Sequence, residues 1–266
     1  MTLFRCQYTV RVVIGIIEME NTTDKDREYF LRGVEQYEKG NNESAINYMT
    51  DIVEWNPNQA EAWYYIGLIC SEWGKICNGN LFDQEELSYR QEALNALDRA
   101  VAVCPDYADA YCLRGSIFYS LENYKNAIDD YSQAIAASSD YADAYYNRGN
   151  VYYVLENYQK AIDDYAQAIA ASSDYADAYY NRGNVYYRLE NYQKAINDYT
   201  QAIDIYAEKQ QSAAFVYFNR ANANRALDNQ REAVADYLKA KALQPLKYTE
   251  AYYEYLEEIG IDPDDD

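Results

Sequence analysis

Residues 138–153 read SSDYADAYYNRGNVYY, and residues 172–187 read the same letters 34 positions later. The stretch LENYQKAI at 155–162 returns with the same spacing at 189–196. A weaker copy, which begins PDYADAYCLRGSIFY, starts at Pro105. A repeat of this length indicates one supersecondary unit copied along the chain, and such units bury their apolar faces by stacking on one another.

Three positions recur when the repeat frame is extended outward. A small residue marks the first: Gly33, Gly67, Gly115, Gly149, Gly183 and Ala221. An aromatic residue precedes each of them by four positions: Tyr29, Trp63, Tyr111, Tyr145, Tyr179 and Tyr217. An alanine follows most of them by twelve positions: Ala45, Ala127, Ala161, Ala195 and Ala233. Each unit therefore holds two amphipathic runs with helical spacing, and the small residues let the two helices approach closely.

This arrangement resembles the tetratricopeptide repeat (TPR) family, whose units pair two helices over 34 residues. In the unit that starts at Ala142 the matching residues are Tyr145, Gly149, Tyr152, Ala161, Tyr165 and Ala168. Arg148 replaces the usual leucine of the family pattern, and Ser173 replaces the usual proline. The resemblance covers about residues 26–247. It implies an all-α fold, a right-handed α-solenoid of stacked antiparallel helix hairpins known as the TPR superhelix.

The repeat frame divides the chain into an N-terminal extension (1–25), six TPR units, a C-terminal capping helix (248–261) and an acidic tail (262–266). The units are 26–59, 60–107, 108–141, 142–175, 176–213 and 214–247. The second has a long internal insertion, which we expect to lengthen its hairpin loop and helices, and the fifth has a short loop insertion. Two interpretations stay open for residues 1–18: a disordered or mis-called extension before a true start at Met19, or a short strand or partner-binding arm.

An ion pair is predicted inside four of the units. Each of them has an arginine at its seventh position and an aspartate sixteen residues later. The pairs are Arg114 with Asp130, Arg148 with Asp164, Arg182 with Asp198, and Arg220 with Asp236. Repeat two lacks both partners, with Ile66 and Ala96 in their places, and repeat one has Arg32 but Tyr48 in place of the aspartate. The joint occurrence suggests a partly buried bidentate pair between the two helices of a hairpin, with a structural role.

Charge and composition exclude several classes of function. The chain has 44 Asp and Glu against 23 Lys and Arg, and this formal charge of −21 opposes binding to nucleic acid. It has no histidine, which removes the usual general base at neutral pH and the commonest zinc ligand. No phosphate-binding loop or nucleophile motif is present. We therefore expect a non-enzymatic protein with no catalytic residue, cofactor or metal site.

The cysteines and the longest apolar stretch bear on location. The five cysteines are odd in number and lack C-x-x-C spacing, which favours free thiols in a reducing compartment. The most apolar stretch, residues 10–17, is too short to span a bilayer. We expect a cytoplasmic protein that does not enter a membrane.

The face that would line the groove of the superhelix is the stripe of positions 2, 5, 6, 9 and 12 of each unit, called here the groove stripe. Its polar and aromatic residues in repeats four to six are our candidate peptide-binding site. They are Asp143, Tyr146, Asn147, Asn150, Tyr153, Asp177, Tyr180, Asn181, Asn184, Tyr187, Phe218, Asn219 and Asn222. Asparagine both donates and accepts hydrogen bonds, as a peptide main chain requires, and the aromatic rings supply rigid contact area.

The asparagines at the sixth position resemble the row by which some TPR proteins hold extended peptides. The basic clamp of chaperone-binding TPR proteins is not matched, because Asp143 and Tyr146 occupy two of its usual helix positions. We therefore expect a partner protein that presents an extended neutral or basic segment. Two other interpretations stay open: tyrosines at positions 5 and 12 packing on neighbouring repeats, and aspartates placed only to favour helix starts. The alternative function is a structural scaffold that self-associates, or that docks a partner through the convex face or the repeat-two insertion.

Overall fold

The computed structural model describes residues 23–76 and 84–261. The expectations for residues 1–22, for the middle of the repeat-two insertion at 77–83 and for the acidic tail at 262–266 lie outside these described residues. The chain divides into two compact units, Met1–Ala137 and Ser138–Asp266. The division falls after the last helix of repeat three, and each unit is described by itself.

The first unit contains three helix hairpins in its described residues. Its helices are α1 (Asp24–Glu38), α2 (Asn42–Trp55), α3 (Ala60–Ile76), α4 (Gln84–Val103), α5 (Ala108–Ser120) and α6 (Tyr124–Ala137). Each odd-numbered helix packs on the next to form a hairpin, and neighbouring hairpins pack through α2 with α3 and α4 with α5. The helices on both sides of the repeat-two insertion are longer than those of the other hairpins in this unit, as predicted.

The second unit contains three more hairpins and one final helix. Its helices are α7 (Ala142–Val154), α8 (Tyr158–Ala171), α9 (Ala176–Arg188), α10 (Tyr192–Glu208), α11 (Ala214–Ala226), α12 (Gln230–Leu243) and α13 (Pro245–Glu258). The first helices of successive hairpins, α7, α9 and α11, also contact one another. Both units are therefore α-solenoid stacks of antiparallel helix pairs, and the all-α prediction is confirmed.

The first and last helices of the described residues have recognisable features that stabilise the ends of the repeat array. Thr23 caps α1 through a reciprocal pair of bonds, because the Asp26 N–H donates to Thr23 Oγ1 at 3.2 Å and the Thr23 N–H donates to Asp26 Oδ2 at 3.0 Å. The final helix α13 begins with Pro245, whose missing N–H costs nothing at a helix start. It buries Tyr248, Tyr252 and Tyr255 against the last hairpin, which is the arrangement expected of a capping helix.

Close packing of each hairpin rests on the small residue of its first helix. A Cβ added at Gly149 would lie 2.8 Å from Cε1 of Tyr165, and one at Gly183 would lie 2.8 Å from Cε1 of Tyr199. Both tyrosine rings are fully buried on the second helix of the hairpin. The glycines therefore make room for the largest buried side chains of these repeats.

The short insertion of repeat five differs from the expectation. The sequence places its extra residues in the loop after the second helix, but α10 continues to Glu208 and absorbs most of them as an additional helical turn. The added turn contains Tyr206, which is buried against Phe215 with ring centroids 5.7 Å apart. A bulky aromatic residue that can be buried at this point stabilises the longer helix.

Candidate functional site

The predicted ion pairs stand behind the groove stripe, between the two helices of each hairpin. In repeat four the Arg148 Nε and Nη2 atoms each donate to one oxygen of Asp164, both at 2.8 Å. Repeats three, five and six have the same two bonds at 2.7–2.8 Å. All four aspartates are buried, and the hydrogen bond to Asp164 raises the pKa of Arg148. The geometry is the bidentate one predicted.

Each of these arginines also lies near the ring of an aromatic residue on its own helix. The guanidinium carbon of Arg148 is 5.8 Å from the ring centre of Tyr145, and that of Arg182 is 5.6 Å from Tyr179. Because Arg148 is held from two sides, it cannot turn toward the groove without losing both its carboxylate and its ring contact. These arginines therefore belong to the hairpin interior, and a ligand in the groove has to be recognised by other groups.

The asparagines at position nine accept hydrogen bonds from the buried tyrosines of the second helices. The Tyr165 hydroxyl donates to Asn150 Oδ1 at 2.7 Å, and the Tyr199 hydroxyl donates to Asn184 Oδ1 at 2.9 Å. In repeat six the pair is Tyr237 with Asn222, at 2.5 Å. Each bond gives the hydroxyl of a buried tyrosine an acceptor, and it fixes which end of the asparagine is its oxygen.

The asparagines at position six join each repeat to the one before it. Asn181 Nδ2 donates to the Tyr146 hydroxyl and to Asn150 Oδ1, both at 3.0 Å. Asn219 Nδ2 repeats the arrangement with the Tyr180 hydroxyl at 2.9 Å and Asn184 Oδ1 at 3.1 Å. The amide groups therefore bridge repeat four to repeat five and repeat five to repeat six. The oxygens of the position-nine asparagines are already used as acceptors inside the protein, a restriction that the sequence pattern did not show.

The two aspartates of the stripe are engaged by tyrosine hydroxyls. Asp143 Oδ1 accepts from the Tyr175 hydroxyl at 2.8 Å, and Asp177 Oδ1 accepts from the Tyr206 hydroxyl. Both aspartates lie in the first turn of their helices, but neither helix has a side-chain hydrogen bond at its N-cap. Burial raises the pKa of both tyrosines, and the nearby carboxylates raise it further. These hydroxyls therefore stay protonated as donors.

The aromatic residues at position five pack onto the next repeat. The rings of Tyr146 and Tyr175 have centroids 5.0 Å apart, and those of Phe218 and Tyr248 have the same separation. Tyr180 contacts Phe215 edge to face at 4.8 Å. At this position the packing interpretation therefore holds, and the rings present only part of their surface to the groove.

One cleft brings candidate residues of three repeats together. It has a volume of about 270 Å³. It is lined by Tyr153, Asn184, Tyr187, Arg188, Tyr199, Asn219 and Asn222. These residues come from α7, α9, α10 and α11, and five of them belong to the predicted groove stripe. The remaining candidates lie along the same helices outside this lining. They are Asp143, Tyr146, Asn147 and Asn150 on α7, Asp177, Tyr180 and Asn181 on α9, and Phe218 on α11.

Two lining residues were absent from the predicted stripe: Tyr199, a buried residue of the second helix, and Arg188. Arg188 occupies position 13, just beyond the predicted stripe, and its exposed side chain hydrogen-bonds to the hydroxyl of Tyr153. A signal for it was available in the repeat itself. Between 138–162 and 172–196 the two near-identical copies differ at a single position, where repeat four has Val154 and repeat five has Arg188.

Comparison with known proteins identifies the class of fold. The tetratricopeptide repeat model matches residues 140–208 and 174–245, and further TPR models match 115–156 and 29–59. The chain belongs to the tetratricopeptide repeat family. A search of curated protein sequences finds no match.

Solved structures with this architecture are numerous. The crystal structure of MamA is 25% identical with a TM-score of 0.57, covering 67% of this chain and 96% of MamA. PilF of Pseudomonas aeruginosa is 17% identical with a TM-score of 0.69, covering 86% of this chain and 97% of PilF. YrrB, described as a TPR protein with an unusual peptide-binding site, is 20% identical with a TM-score of 0.57. The match covers 74% of this chain and 92% of YrrB. The likeness to PilF and YrrB shows the shared fold.

Two further findings concern the described residues only. None of their helices combines the length and apolarity needed to cross a membrane. Their cysteines, Cys70, Cys104 and Cys112, are free thiols, and burial raises the pKa of Cys70 to about 12 and that of Cys104 to about 11. Cys6 and Cys77 lie outside the described residues.

Proposed function

We propose that this TPR array is a non-enzymatic protein-binding module, which holds an extended segment of a partner protein along the groove stripe of repeats four to six. The observation that carries the proposal is the cleft, because five predicted stripe residues from three consecutive repeats line one concave space. Its lining combines phenol rings, which supply contact area, with amides that can hydrogen-bond to a main chain. The peptide-binding site described for YrrB supports the proposal as an instance of this fold serving that purpose.

The internal network changes how a main chain would be held. Because the oxygens of Asn184 and Asn222 already accept tyrosine hydroxyls, these amides offer their N–H groups to a ligand. The position-nine amides would therefore bind carbonyl oxygens of the segment, while Asn219, whose N–H groups are used inside the protein, would accept from an N–H group of the segment. With a chain charge of −21, a segment that is neutral or basic overall is favoured over an acidic one. We propose that this interaction takes place in the cytoplasm, as the free thiols favour.

The proposal is tested by selecting random short peptides displayed on phage against the whole chain. The affinity of a synthetic copy of the selected peptide is then measured by fluorescence anisotropy. Replacing Tyr153 and Tyr187 together by alanine removes two walls of the cleft, and we expect binding to weaken about tenfold or more. Tyr253→Ala is the matched control, because this tyrosine is exposed on α13 away from the groove helices. It should leave the affinity unchanged.

Two results would contradict the proposal. One is a selection that enriches no peptide, and the other is a selected peptide that binds the double variant as tightly as the original chain. Sedimentation of the chain by itself tests the alternative. A stable oligomer that the cleft substitutions leave intact would favour the self-associating scaffold.

A further inference from the structure

The cleft of repeats four to six has an unusual charge for this protein. The chain as a whole is strongly acidic, yet Arg188 is the one charged side chain among the lining residues, and no carboxylate lines the space. The other lining side chains are amides and phenols. A ligand group in the cleft therefore meets one cation and no lining carboxylate.

The hydrogen bonds of the lining leave amide hydrogens of Asn184 and Asn222 for a ligand, whereas Asn219 donates its amide group inside the protein and presents its oxygen. Asn184 Oδ1 already accepts from the Tyr199 hydroxyl at 2.9 Å and from Asn219 Nδ2 at 3.1 Å. These two bonds use both lone pairs of that oxygen, so the further hydrogen bond between Asn184 and the Tyr180 hydroxyl uses one amide hydrogen and leaves the other for a ligand.

Asn222 also has its oxygen directed into the protein. Its oxygen accepts from the Tyr237 hydroxyl at 2.5 Å, and that hydroxyl in turn is hydrogen-bonded by the guanidinium of Arg225. The hydroxyl cannot reverse its direction while Arg225 donates to it, since a guanidinium has no acceptor. The part of Asn222 left for a ligand is again its NH₂ group.

Arg188 lacks the directly bonded carboxylate that four other arginines of these repeats have, although it interacts electrostatically with Glu156 at longer range. Arg148, Arg182 and Arg220 are each held by a buried aspartate, and Arg225 pairs with Glu258. In the described part of the chain Arg188 forms no ion pair, and its hydrogen-bond partner is the neutral hydroxyl of Tyr153. A guanidinium with this partner still has N–H donors for a planar anion.

We propose that this cleft receives the carboxylate of an aspartate or glutamate side chain within the bound segment, held by Arg188 and by the amide N–H groups of Asn184 and Asn222. A cation that forms no ion pair with a carboxylate of the described residues, and that has N–H donors beside it, is the arrangement that recognises such a group. A volume of about 270 Å³ is ample for one acidic side chain. This inference rests on the proposed function and refines it: a segment that is neutral or basic overall carries one acidic residue at this point.

The position of Arg188 in the repeat also sets a register. The equivalent residues of repeats three, four and six are Ser120, Val154 and Ala226, none of which is charged. The repeats otherwise present similar amides and rings to a peptide, which by themselves would allow it to slide by one unit. A single cation fixes where the acidic side chain must lie.

The test uses the same phage display, in which each peptide is fused at its C-terminus and so presents no terminal carboxylate. Selection on the original chain should enrich peptides with an aspartate or glutamate at one fixed position. Replacing that residue in the synthetic peptide by asparagine or glutamine should weaken binding about tenfold to hundredfold. Against the R188V variant, which takes the residue of repeat four, the same peptide change should have an effect of only about twofold.

A second variant tests whether the position of the arginine matters or only the net charge of the protein. The double change R188V with V154R moves the cation by one repeat and keeps the net charge. It should bind the selected peptide as weakly as R188V does, while circular dichroism shows both variants folded. Enriched peptides without an acidic residue, or unaltered affinity in R188V, would overturn the carboxylate site and leave the proposed function standing. Absence of any enriched peptide would overturn both.

Discussion

Repeat one and repeat five build the same helix hairpin from different side chains. In repeat one the small residue Gly33 faces Met49, and the next position of the stripe is Val34. In repeat five Gly183 faces Tyr199, whose hydroxyl bonds to Asn184 at the position equivalent to Val34. Both large residues are fully buried. The hairpin therefore requires a small residue opposite a large one, and the polar groups are an addition to that requirement.

The repeats also differ in whether a buried ion pair joins the two helices of the hairpin. Repeat five pairs Arg182 with Asp198 between its helices, whereas repeat two has Ile66 and Ala96 at these positions. Buried ion pairs are often no more stabilising than apolar residues of similar size, and repeat two shows that the hairpin forms without one. The polar residues of repeats four to six instead form the hydrogen-bonded groove stripe that we propose binds a peptide. Each of the predictions below changes one of the features in which the repeats differ.

The largest effect is expected when one partner of an ion pair is removed. Asp164→Ala leaves Arg148 mostly buried with no carboxylate, and we expect the free energy of unfolding to fall by about 2–4 kcal/mol. Urea denaturation followed by circular dichroism measures the change. Asp163→Ala is the control at the neighbouring position, which is exposed and paired only with Gln159. Equal losses for the two variants would contradict a structural role for the pair.

The pair can also be removed as a whole. The double variant Arg148→Ile with Asp164→Ala gives repeat four the residues of repeat two, and no buried charge is left unpaired. We expect it to be more stable than Asp164→Ala alone in the same denaturation experiment. A double variant that loses as much as the single one would show that the two side chains act separately.

The repeat comparison within the sequence predicted most of the fold and the interior pairs, for a physical reason. The equivalents of Arg148 and Asp164 occur together in four repeats and are both missing from repeat two, so their contact is visible as a correlation between copies, although repeat one has Arg32 without the aspartate. The network of Asn181 with Tyr146 and Asn150 was not visible in this way. Three side chains from two repeats meet there. Which of them donates each hydrogen bond depends on packing that the sequence alone does not give.

The cleft residue Arg188 was missed for a different reason. The stripe was predicted from the residues that repeat, while Arg188 is the residue that breaks the repeat between 138–162 and 172–196. Repeating features report on the fold, since every unit must pack in the same way. Departures from the pattern are where one unit can acquire a specific contact, and they merit equal attention in a search for sites.

A moderate effect is expected from the hydroxyl of a buried tyrosine. Tyr199→Phe removes the donor to Asn184 Oδ1, and we expect a loss of about 1 kcal/mol in the free energy of unfolding, because that oxygen keeps only its bond from Asn219. Ile203→Val is a control for a mild change in the same buried cluster. If Tyr199→Phe has no effect, the polar network adds no stability and serves the groove alone.

The smallest effect concerns the turn between the two helices of a hairpin. Repeat one has Gly40 there with φ of +79°, whereas repeats four and five hold Glu156 and Glu190 at φ of +56° and +57°. A residue with a Cβ is strained in this left-handed region, so Glu190→Gly should raise the free energy of unfolding. The expected net gain is about 0.5–1 kcal/mol, because glycine also gives the unfolded chain more conformational freedom, which offsets part of the relief of strain. Gly40→Glu should lower the free energy of unfolding by a similar amount. Because Glu190 caps the end of α9 through its N–H bond to the Tyr187 carbonyl at 2.9 Å, which glycine also makes, the gain reports backbone strain and not a lost contact. Denaturation of both variants would settle the sign, and a destabilised Glu190→Gly would mean that the glutamate side chain contributes more than its strain costs.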